Sequence, residues 1–258
     1  MSSGTPAGEA SAAAAADGTV IVTFALPDES RDFTCALSPP RQTICGPLRP
    51  DLPGTSGVCG GRRVIVVHTG VGDTPAGRHR LEDALAAAGG SLRFVVSAGY
   101  VGGLSPLPVG SLVLADNFSD PSLARSALAL LAADPPRVGG LVSQGVVAAT
   151  VADKKALAAA HPGTVGVDME TGWIAPLCAH ATRPLLSLRV VSDAADQSLP
   201  VPGHILFDAA RQRPRYLALP LWLLAHPGRI APFAGFVRGL GPARARLTRA
   251  LLTLVPRL

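Results

Sequence analysis

The stretch VGVDMETGWIAPLCAHATRPLLSLRVVS, residues 165–192, contains two kinds of secondary-structure pattern in succession. Residues 165–168 form a short apolar run that predicts a buried strand, and residues 170–180 have the composition of a helix. Residues 185–192 again predict a strand. A strand, a helix and a strand in this order are typical of a parallel sheet covered by helices.

The same alternation extends through most of the chain. Further strands are predicted at residues 19–25, 64–68, 92–98, 111–114 and 142–150, and further helices at residues 81–88 and 152–160. The length of 258 residues and the hydrophobic content of 48% favour one large packed domain and exclude a mainly disordered chain. We therefore predict an α/β fold, a three-layer α/β/α domain with a central mixed, largely parallel sheet.

Composition divides the chain into three segments. Residues 1–18 are rich in Ala, Ser and Gly and contain no basic residue, which predicts a disordered leader rather than a signal peptide. Residues 19–208 hold the strands and helices of the α/β domain. Residues 209–258 form an Arg/Leu/Pro-rich extension that is predicted to be helical, with nine arginines and no acidic residue. The rest of the chain is slightly acidic, so the net charge of +5 does not indicate a nucleic-acid partner.

Known cofactor and metal motifs do not occur. The four cysteines show neither a CxxC pair nor the Cys/His spacing of a structural zinc site. The turn Gly70-x-Gly72 is followed by Pro75, where a dinucleotide-binding motif requires glycine. GxxxxGK[ST], HExxH and GxSxG are also absent from the sequence. The expectation is that no metal or organic cofactor is used, with phosphate kept as a possible co-substrate.

Three acidic residues follow predicted strands: Glu29, Glu170 and Asp193. In open α/β sheets ligands bind beyond the carboxyl ends of the strands, so these carboxylates are candidates for a common cleft. Each also has a simpler interpretation. Glu29 fits a solvated loop, Glu170 fits the first turn of a helix, and Asp193 fits an N-cap.

Five ordered motifs distinguish between these interpretations. They are FALPDES (24–30), HTGVGDTPAG (68–77), SAGYVGGLSPLPVGSLV (97–113), VDMETGWIA (167–175) and RVVSDAAD (189–196). Together they resemble the nucleoside phosphorylase and nucleosidase superfamily, which includes purine nucleoside phosphorylase and methylthioadenosine/S-adenosylhomocysteine nucleosidase. SDAADQSLP (192–200) and the C-terminal extension are most similar to the hopanoid-associated phosphorylase branch. That branch implies removal of adenine from adenosylhopane.

The resemblance implies catalytic roles for three residues. Asp193 matches the acid that protonates the departing purine near N7, and Ser192 helps to orient it. Glu29 matches the carboxylate that activates water in the hydrolytic members. Two carboxyl groups on opposite sides of a glycosidic bond follow the logic of an inverting glycosidase.

The resemblance also implies substrate-binding residues. Glu170 matches the acid that binds the ribose hydroxyls, and Met169 matches the residue that packs under the sugar. Assigned to the rest of the substrate-binding region are Thr69, Gly70, Gly99, Tyr100 and Val147. Val147 lies where the nucleosidases have an aromatic residue that stacks on the purine, and Phe207 and Trp173 are alternative stacking residues.

Water is favoured over phosphate as the nucleophile. Phosphorolytic relatives place an arginine where this sequence has Ser97, whereas Glu29 is retained. Phosphate remains the alternative nucleophile, since the hydroxyl of Thr69 and the backbone N–H of Gly70 could bind it.

The alternative substrate is a soluble purine nucleoside such as methylthioadenosine. A non-catalytic module that binds nucleoside or membrane is the alternative of another class, and three retained carboxylates argue against it.

The basic extension has two interpretations. Its helices pack on the domain with arginines directed outward, or an amphipathic helix within residues 211–258 rests on an anionic membrane surface. The longest apolar run of the extension is too short to span a bilayer, so we predict a cytoplasmic protein, peripheral on the inner face of the cytoplasmic membrane in the second interpretation. The resemblance further implies a homo-oligomer.

Overall fold

The computed structural model describes residues 18–44, 54–208, 213–214 and 218–258. The leader predicted for residues 1–18 therefore lies, except for its last residue, outside the described residues. Strands are β1 Thr19–Phe24, β2 Ser38–Ile44, β3 Gly54–Cys59, β4 Arg62–His68, β5 Leu92–Gly103, β6 Leu112–Ala115, β7 Arg137–Ser143, β8 Thr164–Asp168, β9 Leu185–Asp193, β10 Phe207–Asp208 and β11 Arg213–Pro214. Helices are α1 Pro27–Ala36, α2 Pro75–Ala88, α3 Pro121–Leu130, α4 Val151–Ala160, α5 Thr171–His180, α6 Gly203–Leu206, α7 Ala218–Ala225 and α8 Ile230–Leu254.

The main sheet is mixed. Its strands lie in the order β2-β3-β4-β1-β5-β8-β7-β6-β9, and β5 also pairs with β9. Pairing is parallel between β1 and its neighbours β4 and β5, between β5 and β9, and along β6-β7-β8. It is antiparallel at β2-β3, β3-β4, β5-β8 and β6-β9. The predicted α/β fold class is confirmed, and the extra β5-β9 pairing closes five strands into a ring.

Helices cover both faces of this sheet. Successive side chains of a strand point to opposite faces, so Val20 and Val22 of β1 lie on one side and Ile21 on the other. The first side packs against α1, α3 and α8, and the second against α2 and α5. A separate apolar cluster under α4 includes Val142 and Val167. These layers are the three predicted from the alternation of strands and helices.

Some predicted elements have other bounds in the structure, and some elements were not predicted. The strand predicted at residues 142–150 ends at Ser143, because its pairing with β8 ends where Ser143 meets Asp168. The following residues form a loop that leads into α4, whose first turn is closed by a capping box of Thr150 and Asp153. Helix α1 was not predicted because it is polar. It begins at Pro27 and has Asp28 and Glu29 in its first turn.

The C-terminal extension contributes to the main core. The second half of α8 buries Ala243, Leu247, Leu251 and Leu254 in the same apolar cluster as the central strands. Arg244 and Arg246 face the domain rather than solvent: Arg244 pairs with acidic residues of α1, and Arg246 pairs with Asp134. Within the described part of the chain, no helix is long and apolar enough to cross a membrane.

The other half of the extension exposes apolar side chains. In α7 the exposed fractions of Leu221 and Leu224 are 67% and 76%. Ile230 and Val237, in the first half of α8, are also exposed. Helix α7 therefore has little contact with the core that α8 completes.

Candidate active site

A cavity of about 270 Å³ lies beyond the carboxyl ends of β1, β5, β8 and β9. Its wall includes seven of the predicted site residues, which come from five separate parts of the chain. Predicted site residues on its wall are Glu29, Tyr100, Val147, Met169, Glu170, Ser192 and Asp193. The three carboxylates therefore line one cavity, which the separate interpretations as loop, helix-turn and capping residues do not explain.

Glu29 enters the cavity from the first turn of α1. Its Oε2 accepts a hydrogen bond of 3.1 Å from the backbone N–H of Ala25, the residue after β1. The pKa of Glu29 is raised to about 8, first by burial of the carboxyl group and then by the negative charge of Glu170. Arg189 acts in the opposite direction. A carboxyl group with a pKa near neutrality is suited to accepting a proton.

Glu170 occupies the turn between β8 and α5. Its Oε1 accepts a 2.9 Å hydrogen bond from the backbone N–H of Gly72, in the glycine turn after β4. Burial and then the charge of Asp168 raise the pKa of Glu170 to about 7, against the opposing effect of Arg189. The remaining oxygen lies 4.0 Å from the Arg189 guanidinium. Met169 lines the cavity beside it.

Asp193 is buried at the end of β9. Its Oδ1 accepts a 2.5 Å hydrogen bond from the Ser192 hydroxyl, which also lies 3.3 Å from the backbone carbonyl of Val101. Ser192 is thus placed to orient the carboxyl group, as the resemblance implies. The other oxygen, Oδ2, contacts the ammonium of Lys154.

Sequence reasoning did not identify Lys154. Its side chain is 1% exposed, and its Nζ also donates to the carbonyls of Ala194 at 2.7 Å and Gln197 at 2.8 Å. The available signal was its position on α4, because Lys154 lies on the same helical face as Leu157 and Ala158, which pack against the core. A lysine at an apolar position indicates a buried partner.

Arg189 was also not identified. Its guanidinium forms a 2.8 Å ion pair with Asp168 and donates 2.7 Å hydrogen bonds to the hydroxyls of Ser97 and Thr171. A further donor lies 3.2 Å from the carbonyl of Ala98. Arg189 therefore provides positive charge close to Glu29 and Glu170 and holds the Ser97 hydroxyl.

Three predicted substrate-binding residues, Thr69, Gly70 and Gly99, are described by the structure but do not line the cavity. The Thr69 hydroxyl is buried and lies near the carbonyls of Phe24 and Gly70, at 3.3 and 3.1 Å. Gly70 donates its N–H to the carbonyl of Ala25. Gly99 lies against Glu29 and Arg189: a Cβ there would be 2.8 Å from an atom of each. In this conformation Thr69, Gly70 and Gly99 therefore contact the backbone and side chains around the cavity rather than the cavity itself.

The base-stacking alternatives can be compared with the structure. Trp173 of α5 is buried in the apolar cluster between the sheet and α2, and it does not line the cavity. The side chain of Phe207 lies outside the described residues. Val147 lines the cavity within the loop before α4.

Helix α8 closes one side of the cavity with Phe236 and Leu240. The Tyr100 hydroxyl donates a long, 3.4 Å hydrogen bond to the carbonyl of Leu240, and burial raises the pKa of Tyr100 to about 12. A neighbouring cavity of about 420 Å³ shares Ser192, Asp193 and Phe236 with the first and extends along α8 to Arg229. The sequence motifs gave no indication of this second cavity.

Comparison with solved structures identifies the fold. The nucleosidase for methylthioadenosine and S-adenosylhomocysteine from Neisseria meningitidis matches with a TM-score of 0.67 and 19% identity, over 93% of this chain and 100% of that one. The corresponding enzyme from Streptococcus pyogenes gives 0.68 and 18%, over 95% and 99%. Futalosine hydrolase of Helicobacter pylori gives 0.65 and 17%, over 94% and 99%. Neither a protein-family model nor a curated protein matches the sequence.

These matches define an α/β protein with the nucleosidase fold. The neighbours belong to the nucleoside phosphorylase and nucleosidase superfamily, and the chain has the fold of that superfamily along nearly its whole length. The fold implied by the five sequence motifs is thereby confirmed.

Proposed function

We propose that the protein is an enzyme that cleaves the N-glycosidic bond of a purine nucleoside and releases adenine, with water as the nucleophile. The observation that carries this proposal is the meeting of Glu29, Glu170 and Asp193 in one cavity. A module that only binds a nucleoside needs no acid for the leaving base. The nucleosidase fold supports the same reaction class.

The reaction divides its proton transfers between two carboxyl groups. As the bond between C1′ of the ribose and N9 of the purine breaks, Asp193 gives its proton to N7 and the base leaves neutral. Water attacks C1′ and gives a proton to the Glu29 carboxylate. The products are free adenine and the corresponding ribose, and solvent restores the protonation of both groups.

Glu170 and Met169 hold the sugar in this scheme. The 2.9 Å hydrogen bond from Gly72 fixes one oxygen of Glu170, and the other remains to accept from ribose hydroxyls. Hydrogen bonds to a sugar that strengthen in the transition state contribute several kcal/mol in glycoside hydrolysis. Met169 provides an apolar surface beneath the ring.

The choice of water rests on Glu29 and on the contacts of Arg189. Glu29 lines the cavity, and its raised pKa supports the proposed exchange of a proton near neutral pH. The guanidinium of Arg189 is directed to Asp168, Ser97, Thr171 and Ala98. An arginine held by protein acceptors has fewer donors for an incoming phosphate.

The proposed substrate is a hopanoid-linked adenosine such as adenosylhopane. The second cavity along α8 adds about 420 Å³ next to Asp193, enough to receive an apolar group attached to the sugar. Exposed Leu221 and Leu224 on α7, together with arginines nearby in the chain, support a peripheral position on an anionic membrane where such a lipid resides. Methylthioadenosine is the alternative, since the neighbours were solved with analogues of it.

Base release tests the proposal directly. Purified full-length protein is incubated with adenosine, methylthioadenosine and an adenosyl-hopanoid extract, each with and without phosphate, and free adenine is measured. Release from the lipid alone, without phosphate, is the expected result. Dependence on phosphate would replace water by phosphate, and release only from methylthioadenosine would replace the lipid substrate.

A substitution at the acid controls for contaminating activity. Asp193→Asn removes the proton donor and should lower kcat by about 10²–10⁴-fold while nucleoside binding persists. Asp196→Asn is the matched control, because Asp196 is an exposed residue three positions further along. No adenine from any of the three substrates would overturn the proposed reaction.

A further inference from the structure

We propose that Lys154 is a positioning residue that promotes departure of the purine by acting through Asp193. The inference rests on the proposed function and adds a residue that the sequence motifs did not include. It starts from one observation: a lysine that is 1% exposed contacts the carboxyl group assigned as the acid.

All three donors of the ammonium are directed to a single segment. An ammonium group has three N–H donors, and those of Lys154 face Oδ2 of Asp193 and the carbonyls of Ala194 and Gln197. Lys154 thus holds both the acid and the four residues that follow it. Removing the lysine would release the carboxyl group and the adjoining loop together.

The helix that carries Lys154 is fixed at its start. The Thr150 hydroxyl accepts from the N–H of Asp153 at 3.1 Å, and the Asp153 carboxylate accepts from the N–H of Thr150 at 2.9 Å. Lys154 follows directly and points inward with Leu157 and Ala158. Because burying an ammonium group is costly unless its N–H donors are satisfied, the position of Lys154 depends on the acceptors at Asp193, Ala194 and Gln197.

The contact has an electrostatic consequence for the reaction. When Asp193 gives its proton to the base, a negative charge forms on a buried carboxyl group. The Ser192 hydroxyl donates to one oxygen and the Lys154 ammonium contacts the other, so both oxygens are stabilised as that charge develops. Preorganised donors of this kind stabilise a transition state because they need not rearrange. Lys154 itself touches neither the base nor the sugar in this scheme.

A double-mutant cycle tests this role. Lys154→Met is expected to lower kcat for adenine release by about 10²-fold with little change in KM, because the acid is weakened rather than substrate binding. In an Asp193→Asn background the same change should cost almost nothing further, since the group through which it acts is gone. Lys155→Met is the matched control, an exposed lysine on the same helix.

A substrate with a good leaving group separates this role from a structural one. With 4-nitrophenyl riboside the leaving group departs without a proton. On this substrate the turnover of Lys154→Met should therefore be close to that of the wild type and of the control Lys155→Met.

Equal losses on both substrates, or full additivity with Asp193→Asn, would overturn the role. If Lys154→Met does not fold, Lys154→Gln, which removes the charge but keeps an N–H donor, replaces it in the same cycle, with the same non-additivity expected. Adenine release by the wild type with normal turnover in Lys154→Met would reject this role alone. No release by the wild type would instead reject the proposed function.

Discussion

Arg244 of α8 forms a 3.1 Å ion pair with Asp28, the residue that precedes Glu29 in the first turn of α1. The same guanidinium lies 3.0 Å from Asp32, one turn further along that helix. The last long helix of the described chain is therefore joined to the helix that carries the candidate base. This contact links residues more than 200 positions apart in the sequence.

Arg244→Ala should weaken both the fold and the site. The side chain of Arg244 is largely buried whereas Asp28 is exposed, so we expect a loss of about 1 kcal/mol in the free energy of unfolding. The position of Glu29 should be less restrained, which lowers kcat for adenine release. Chemical denaturation and steady-state kinetics measure the two effects, and Arg249→Ala, which removes an exposed arginine of the same helix, is the control. Unchanged stability and turnover would contradict the importance of the contact.

The pH dependence of activity should report Glu29. As a base it must be ionised, and its pKa is raised to about 8, so activity limited by this step rises with pH and levels off above about 8. Glu29→Gln should remove this rise together with most of the turnover. A flat wild-type profile between pH 6 and about 9 in kcat/KM would contradict the role of Glu29.

The same ionisation makes an opposite prediction for stability. The folded protein holds the Glu29 proton up to about pH 8, whereas the pKa of an unperturbed Glu is 4.5. Its contribution to stability is complete below pH 4.5 and is lost as the pH rises to about 8, because only the unfolded state ionises in that interval. Glu29→Gln should therefore gain stability relative to wild type on going from pH 4.5 to about 8. Thermal melts of both proteins across this range measure the difference.

Gly99→Ala should displace the side chains of Glu29 and Arg189, which lie against this glycine. The backbone of Gly99 has a φ of 143°, which L side chains rarely adopt, and a Cβ would come within 2.8 Å of Glu29 and Arg189. We expect a loss of about 1–3 kcal/mol in the free energy of unfolding and lower turnover. Gly90→Ala is the control, because a Cβ there meets nothing within 4 Å. Equal stability of the two variants would contradict this prediction and would mean that the neighbouring side chains move to accommodate the methyl group.

Membrane contact through α7 should depend on its exposed leucines. Leu221→Glu with Leu224→Glu places two negative charges on that surface, and sedimentation with vesicles of anionic lipid should fall by about 10-fold or more. Lys155→Glu on α4 changes the net charge by the same amount and should leave sedimentation nearly unchanged. If both variants sediment like the wild type, this surface is not the contact.

The sequence predicted β1, β8 and β9 well because each is a short apolar run ending in polar residues, but it did not predict that β5 continues through the cavity wall to Gly103. Glu29, Glu170 and Asp193 were identified because their motifs follow such strands, and the structure brings their side chains together. Whether they have the assigned roles stays a prediction. Helix α1 was not predicted because its polar residues give little apolar periodicity.

The contacts between distant segments could not be predicted from local patterns. Lys154 reaches Asp193 only because α4 packs beside the end of β9, and Arg189 reaches Ser97 through the parallel pairing of β5 and β9. The wall formed by Phe236 and Leu240 depends on how α8 crosses the domain. These contacts follow from tertiary packing, so they could not be predicted from the spacing of residues in the sequence.

The position of α8 has a consequence for synthesis of the protein. Glu29 leaves the ribosome early and Asp193 much later, but Phe236 and Leu240 follow both. A nascent chain that already carries all three carboxylates therefore still lacks one wall of the cavity. The cavity becomes complete only when α8 has been synthesised and has packed on the domain, so translation delays its completion.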